Sequence, residues 1–362
     1  MKARRRPKVL LVLVLVAAGL MVTLAALLRL HQTAYYLVKF EVTSSIEDKA
    51  LAARHLLALW PSVGLERAWK VVELKAGEMS EDHERRSKAG EKLLLPLPPA
   101  ESLLGLCVDP GLHDEGSVQK IAALADTLEE REACRCLAVL SYLRPRFDSA
   151  ELILARHLLE GRSPSLRQAA ACAMGRVSVR TSQGADAVLS ALVQGEGEVC
   201  SHLGGALARY FARRRPDDLP LSRERAMGDY VEAAFLRTAE TTIPRLTDLD
   251  TRCWEELLGL LTPMCDGNEI ATSLVIAAAK SDRAGVRFRV AQILESLLAR
   301  GGIGSAADTV REVLKELGED EDEGVKWTAR FALIEADRKV SPETESVKRN
   351  PPLRVPRGLN SE

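Results

Sequence analysis

From Leu166 to Gly175 the chain reads Leu-Arg-Gln-Ala-Ala-Ala-Cys-Ala-Met-Gly. With Leu166 as position 0, an aliphatic residue stands at 0, a basic one at 1, Ala at 4, and a small or aliphatic pair at 7 and 8. Positions 0, 4, 7, 8 and 11 share one face of an α-helix, the stripe that a packed helix buries. The pattern returns. Val286-Arg287 leads to Val290, Ile293 and Leu294; Val325-Lys326 leads to Ala329, Ala332 and Leu333; Val199 leads to Leu203, Ala206 and Leu207. Weaker copies start at Lys49, Pro96, Glu129 and Asp250, so consecutive starts lie 33 to 51 residues apart.

Between these helices lie second apolar-periodic segments at Ser149–Glu160, Ala185–Gln194, Gly228–Ala239, Glu269–Lys280 and Ser305–Leu317. Gly161 and Gly195 fit helix ends, and Asp148, Asp282 and Ser305 fit N-caps. Each unit therefore reads as a helical hairpin that buries its apolar face only by stacking on neighbours. The expected fold is all-α, an α-solenoid over residues 44–338.

A different pattern opens the chain. Lys2, Arg4, Arg5, Arg6 and Lys8 precede an uncharged run from Val9 to Leu28, closed by Arg29. At 1.5 Å per residue this run makes about 30 Å of helix, the thickness of a hydrocarbon core. It exceeds the usual signal-peptide core and offers no clean cleavage site, so residues 9–30 are expected to be a transmembrane signal-anchor and the contact with the membrane. If it were cleaved, the product would be a secreted repeat protein. Basic residues concentrate before the span, which places residues 1–8 in the cytoplasm and the rest outside the cytoplasmic membrane as a single-pass protein. A juxtamembrane connector is expected at 31–43, where Tyr35–Val42 fits either a short strand or a continued helix. Gly77–Lys92 reads as an exposed, charged helix or loop. The proline-rich tail from 339 to 362 is expected to be disordered.

Composition sharpens this picture. The 362 residues are 46% apolar, 28% charged and only 4% aromatic, a helix-forming mixture poor in strand formers. Fifty basic and fifty-one acidic residues leave a formal charge of −1, so nucleic acid is not an expected partner. The seven cysteines, an odd number, form no C-x-x-C motif and are expected to be free thiols in small apolar roles. A disulfide between neighbouring helices stays open.

The repeat resembles the HEAT family, especially its short bacterial PBS-lyase-like form. A turn or acidic residue, Val-Arg, then small residues and Ala-Leu-Gly carry the likeness, best at Ser163–Val177, Asp282–Leu298 and Asp320–Ala336. The resemblance implies an armadillo-like helical scaffold that binds protein. A minority of the family are bilin lyases or alkylpurine DNA glycosylases, which keeps a HEAT-type enzyme as the alternative.

No sequence motif speaks for that alternative. The chain lacks H-E-x-x-H, G-x-S-x-G, a Walker A loop and a G-x-G-x-x-G turn. His31, His55, His83, His113, His157 and His202 are scattered and read as packing or surface residues. Gly301–Gly304 reads as a turn, Gly318–Glu323 as a solvated acidic turn, and Arg213–Arg215 as a solvated loop. Arg167, Arg287 and Lys326, all at position 1, are expected to pair with acidic groups or carbonyls of neighbouring turns. The sequence thus predicts no enzyme, no catalytic, cofactor-binding or metal-binding residue and no cofactor. It predicts a protein partner of undefined identity.

Overall fold

A computed structural model describes residues 6–88, 100–176, 178–194, 197–211, 222–300 and 306–340. The basic patch Arg213–Arg215, the glycine turn at 301–304, the proposed caps Gly195 and Ser305, and the tail beyond Val340 lie outside these residues. Among the described residues there are helices, 3-10 turns and loops but no strand. The fold is all-α and built of stacked helical hairpins, the architecture of an α-solenoid. The chain divides into two compact units, residues 1–188 and 189–362.

The first unit begins with α1 (Arg6–Val42), followed by α2 (Ile46–Leu59) and α3 (Pro61–Lys88). Helix α1 has 37 residues and would reach about 55 Å at 1.5 Å per residue. Its segment from Leu13 is long and apolar enough to cross a membrane, and none of the most apolar stretch is buried by the rest of the chain. The stretch expected as a connector is helical. Of the two readings left open for Tyr35–Val42, the structure adopts the continued helix, because Thr33 and Phe40, two turns apart, both bury against the first hairpin. Gly64 permits the tight α2–α3 crossing, since a Cβ there would come within 2.2 Å of the Leu57 backbone.

The unit continues through α4 (Ala100–Leu103), α5 (Glu115–Thr127), α6 (Glu130–Leu143), α7 (Asp148–Glu160) and α8 (Pro164–Gly175). Helices α6 and α8 carry the repeat pattern and pack side by side, with α5 and α7 as their partners. In the weak copy that starts at Pro96, the described residues, from Ala100 on, do not form a repeat helix. Helix α4 spans four residues and passes into a 3-10 turn at Leu104–Leu106, where Gly105 and then Pro110 follow and, within the turn, Leu104 is the buried residue. Side-chain caps close several N-termini: Ser45 Oγ accepts from Asp48 N, Asp114 Oδ1 from Ser117 N, and Ser163 Oγ from Leu166 N. Asp148 is the first residue of α7, one step inside the N-cap expected of it.

Helix α9 (Ser182–Gln194) contains the division between the units. The second unit holds α10 (Gly197–Phe211), α11 (Ser222–Thr242), α12 (Thr251–Met264), α13 (Glu269–Ala278), α14 (Ala284–Arg300), α15 (Ala307–Leu317) and α16 (Glu323–Val340). Here α10, α12, α14 and α16 are the repeat helices, each packed on the next. Among the described residues, Gly267 alone is a glycine with a positive φ, +82°, in the turn where Asn268 caps α13.

Burial matches the register counted from Leu166. At positions 0, 4 and 7 of the four clear copies every side chain is buried, and at position 8 only Leu333 is half-exposed. Ala173 and Ala332 at position 7 are 3% and 1% exposed. Ala332→Phe and Ala173→Phe should therefore each destabilise the chain by about 1–3 kcal/mol through overpacking. Gln168→Ala, off the stripe, should change stability by no more than about 0.5 kcal/mol. Denaturant midpoints of the three variants measure this, and equal shifts would reject the register.

Cysteine bookkeeping differs in one respect from the free thiols expected. Cys107, Cys136 and Cys265 are buried free thiols, and Cys134 and Cys172 are half-buried ones. Burial pushes Cys107 and Cys136 up to about 12 and Cys265 to about 11, so these three stay protonated and inert. Cys200 and Cys253 form a disulfide between α10 and α12, with their Cα atoms 5.1 Å apart. The pairing needs two repeat helices to stack in register, a long-range fact that the spacing of cysteines does not carry.

Candidate functional site

The repeated cations lie in the first turns of their helices. Arg167 donates to the Gly161 carbonyl at 2.9 Å. Arg287 makes a two-pronged bond to Asp320 at 2.7 and 2.9 Å, and also reaches the Ser281 and Asp282 carbonyls. That bond holds the Asp320 carboxyl below its usual range. Lys326 pairs with Glu323 at 2.6 Å on the same helix. The turns add further stitches: Arg162 donates to the Asp126 and Leu128 carbonyls, and Arg283 to those of Thr247 and Leu249. These guanidinium groups join one repeat's turn to the next, which sets the spacing between hairpins.

Two clefts border those stitches, one in each unit. The first, about 230 Å³, is lined by Ala125, Asp126, Arg156, His157, Glu160, Arg162 and Leu166. Asp126 accepts from Arg156 at 2.8 Å through both oxygens, and His157 Nε2 lies 3.2 Å from it. The second, about 400 Å³, is lined by Leu249, Asp250, Thr251, Trp254, Arg283 and Gly285. Its Asp250 is engaged as the cap of α12, accepting from Arg252 N. Asp126, Arg156, His157, Arg162, Asp250 and Arg283 bond to one another or to backbone, an arrangement suited to holding repeats together. Among the described residues no group of three or more His, Cys, Asp or Glu side chains is placed to hold a metal ion.

Three of the histidines occupy packing positions, and His31 is exposed. His55 stacks on Tyr36 at 4.2 Å, His113 is buried without a bond to either ring nitrogen, and His157 joins the Asp126 cluster. In all three the pKa is lowered, with burial as the first cause; Asp126 opposes this at His157, and Asp109 opposes it at His55 and, with Asp114, at His113. The sign follows from linkage: the unfolded chain binds these protons more readily, so stability rises with pH where they titrate. Stability from these groups should be complete above the unfolded value of 6.5 and decline as pH falls through and below it. Denaturation midpoints at pH 7.5 and 5.5 test this. His113→Phe should flatten the slope, and an unchanged slope would exclude His113 as a contributor.

Among the described residues outside α1, exposed apolar side chains cluster on α16. Trp327 and Ile334 are 67% and 52% exposed, and Phe331 lies between them, its ring stacked on Trp327 at a centroid distance of 5.2 Å. Phe288 on α14 is also exposed and lies beside Gly324, one turn before Trp327. Phe288 and Trp327 both stand at position 2. Sequence reasoning did not single out this face, although its signal was present: α16 carries Trp, Phe and Ile at positions 2, 6 and 9, where α8 carries Gln168, Cys172 and Gly175.

No family model matches the chain, and no curated protein sequence does. Among solved structures, a designed armadillo repeat protein, YIII(Dq)4CqI, is similar over 60% of this chain and 99% of its own, at 16% identity and a TM-score of 0.35. An engineered protein is similar over 84% of this chain and 99% of its own, at 16% identity and a TM-score of 0.29. The all-α assignment rests on the helices and their packing.

Proposed function

We propose that this chain is a non-catalytic, membrane-tethered HEAT-like scaffold that holds a protein partner at the outer face of the cytoplasmic membrane. The observation that carries the reading is the Trp327–Phe331–Ile334 face. Isolated exposed apolar residues are ordinary, but a stacked Trp–Phe pair continued by Ile and neighboured by Phe288 is the kind of anchor that protein partners bury. The uninterrupted passage of α1 from the apolar span into the first hairpin supports a stiff tether. The Cys200–Cys253 bond supports a location outside the reducing cytoplasm.

Affinity capture of the full chain from detergent-solubilised membranes tests the binding role. A stoichiometric protein should be recovered with the wild type and lost with Trp327→Ser/Phe331→Ser. Equal recovery with both, or recovery of a bound chromophore instead, would overturn it. A reporter active only outside the cytoplasm, fused after Glu362, should score positive, and a negative score would reverse the topology.

A further inference from the structure

The loop between α2 and α3 carries an exposed tryptophan at a level set by the helix register. Helix α2 runs antiparallel to α1. The Lys49 ammonium donates to the Phe40 carbonyl at 2.6 Å, Lys39 lies 3.7 Å from Asp48, and Tyr36 stacks on His55 at 4.2 Å. Each step along α2 is thus matched by a step back along α1, and continuing that register brings Trp60 to about the level of Leu27–His31. Helix α3 then returns beside α1. Arg67 pairs with Glu41 at 3.0 Å, and Arg67 and Lys70 lie 5.3 and 6.0 Å from the Phe40 ring. The α2–α3 turn is therefore the part of this hairpin nearest the apolar span, whose uncharged run ends at Leu28, just before Arg29.

The composition of the turn suits that level. From Leu56 to Leu65 the chain carries no charged residue, although Arg54, His55, Glu66 and Arg67 flank it closely. Trp60 is 49% exposed, and it cannot withdraw into the core. Its backbone N–H donates to the Leu56 carbonyl at 2.7 Å, its backbone carbonyl accepts from Gly64 N at 2.9 Å, and Gly64 lies directly against the Leu57 backbone. An amphipathic indole held at the end of a membrane span is placed where water gives way to hydrocarbon, the zone tryptophan favours. Tyr35, 56% exposed and about 9 Å further along α1 than Arg29, lies on the same margin.

We infer that the α2–α3 turn is a second membrane contact, with Trp60 seated among the lipid headgroups beside the point where α1 leaves the bilayer. This rests on the tethered reading of α1. A second contact beside the span fixes the rotation of the first hairpin about the axis of α1, which a single helix leaves free. The occupant is a lipid surface, because the register places the turn at the bilayer edge and the turn offers no charge to a polar partner.

The full chain reconstituted in phosphatidylcholine vesicles tests this, using lipid brominated high on the acyl chain near the headgroup as a short-range quencher. Wild-type tryptophan emission should be quenched relative to ordinary vesicles. Trp60→Phe should remove most of that quenching, and Trp327→Phe should leave it intact. Unquenched wild type, or quenching unchanged in Trp60→Phe, would overturn the inference. Alkaline extraction of the same vesicles separates the two readings. A chain that is released overturns the tether and this contact together, whereas a chain that stays embedded with Trp60 unquenched overturns the contact alone.

Discussion

Glu151→Ala should destabilise the chain by about 3–5 kcal/mol, the cost of breaking a buried ion pair from one side. Arg144 and Glu151 are both fully buried, and Arg144 Nε donates to Glu151 Oε2 at 2.8 Å. The guanidinium also donates to the Met174 carbonyl at 2.6 Å at the end of α8. The carboxylate accepts from Arg180 N, Thr181 N and the Thr181 hydroxyl, which hold the segment leading into α9. Removing Glu151 leaves a buried cation and two backbone N–H groups without their acceptor, each costly in a dry interior. Arg144→Met/Glu151→Leu should recover much of the loss, because the charges go together. Denaturant unfolding of the full chain in detergent measures the cycle. A single-variant loss below about 1 kcal/mol would mean that water reaches this pair.

That network marks the limit of what the pattern of residues reveals. The stripe through Leu166, Ala170 and Ala173 is legible because each helix repeats the same local arithmetic, and burial at those positions depends on helical period alone. The Arg144–Glu151 pair follows no such period. Its two residues lie seven apart across the α6–α7 turn, and most of its other partners are backbone groups some thirty residues onward. Pattern also misleads where chain breakers override it. Ala100, Leu103 and Leu104 imitate a repeat, yet the helix stops at Leu103 and turns through Gly105. Tyr35–Val42 alternates like a strand, but burial of Thr33 and Phe40 on one face decides for helix.

The interaction surfaces divide in the same way. Trp327, Phe331 and Ile334 lie four and three residues apart off the buried stripe, so their exposure follows from the register and the face was readable in principle. Trp60 was not. One exposed tryptophan in a loop carries no meaning until α1 and α2 are seen side by side and its level along α1 is known. The arginine stitches fall between these cases: Arg167 and Arg287 at position 1 announce a role in the repeat, whereas Arg162 and Arg283 act from turns where no period operates.

Breaking the Cys200–Cys253 bond should be the other large loss. The two residues are 53 apart in sequence, and closing a loop of that length restricts the unfolded chain by about 4 kcal/mol in the chain-entropy account. The side chains themselves lose little, because both positions are fully buried and a reduced thiol or an alanine packs there as a small apolar group. Cys200→Ala/Cys253→Ala should therefore lower the denaturant midpoint by an amount equivalent to about 2–4 kcal/mol. Reductant should lower the wild-type midpoint to the same place and leave the variant unmoved. Thiol counting supplies the independent check: the unfolded wild type should titrate five thiols without reductant and all seven after reduction. Seven reactive thiols in protein purified without reductant from its native membrane would show that the bond does not form there. The helices α10 and α12 would then be held by packing alone, and flanking charge alone would favour a location outside the cytoplasm.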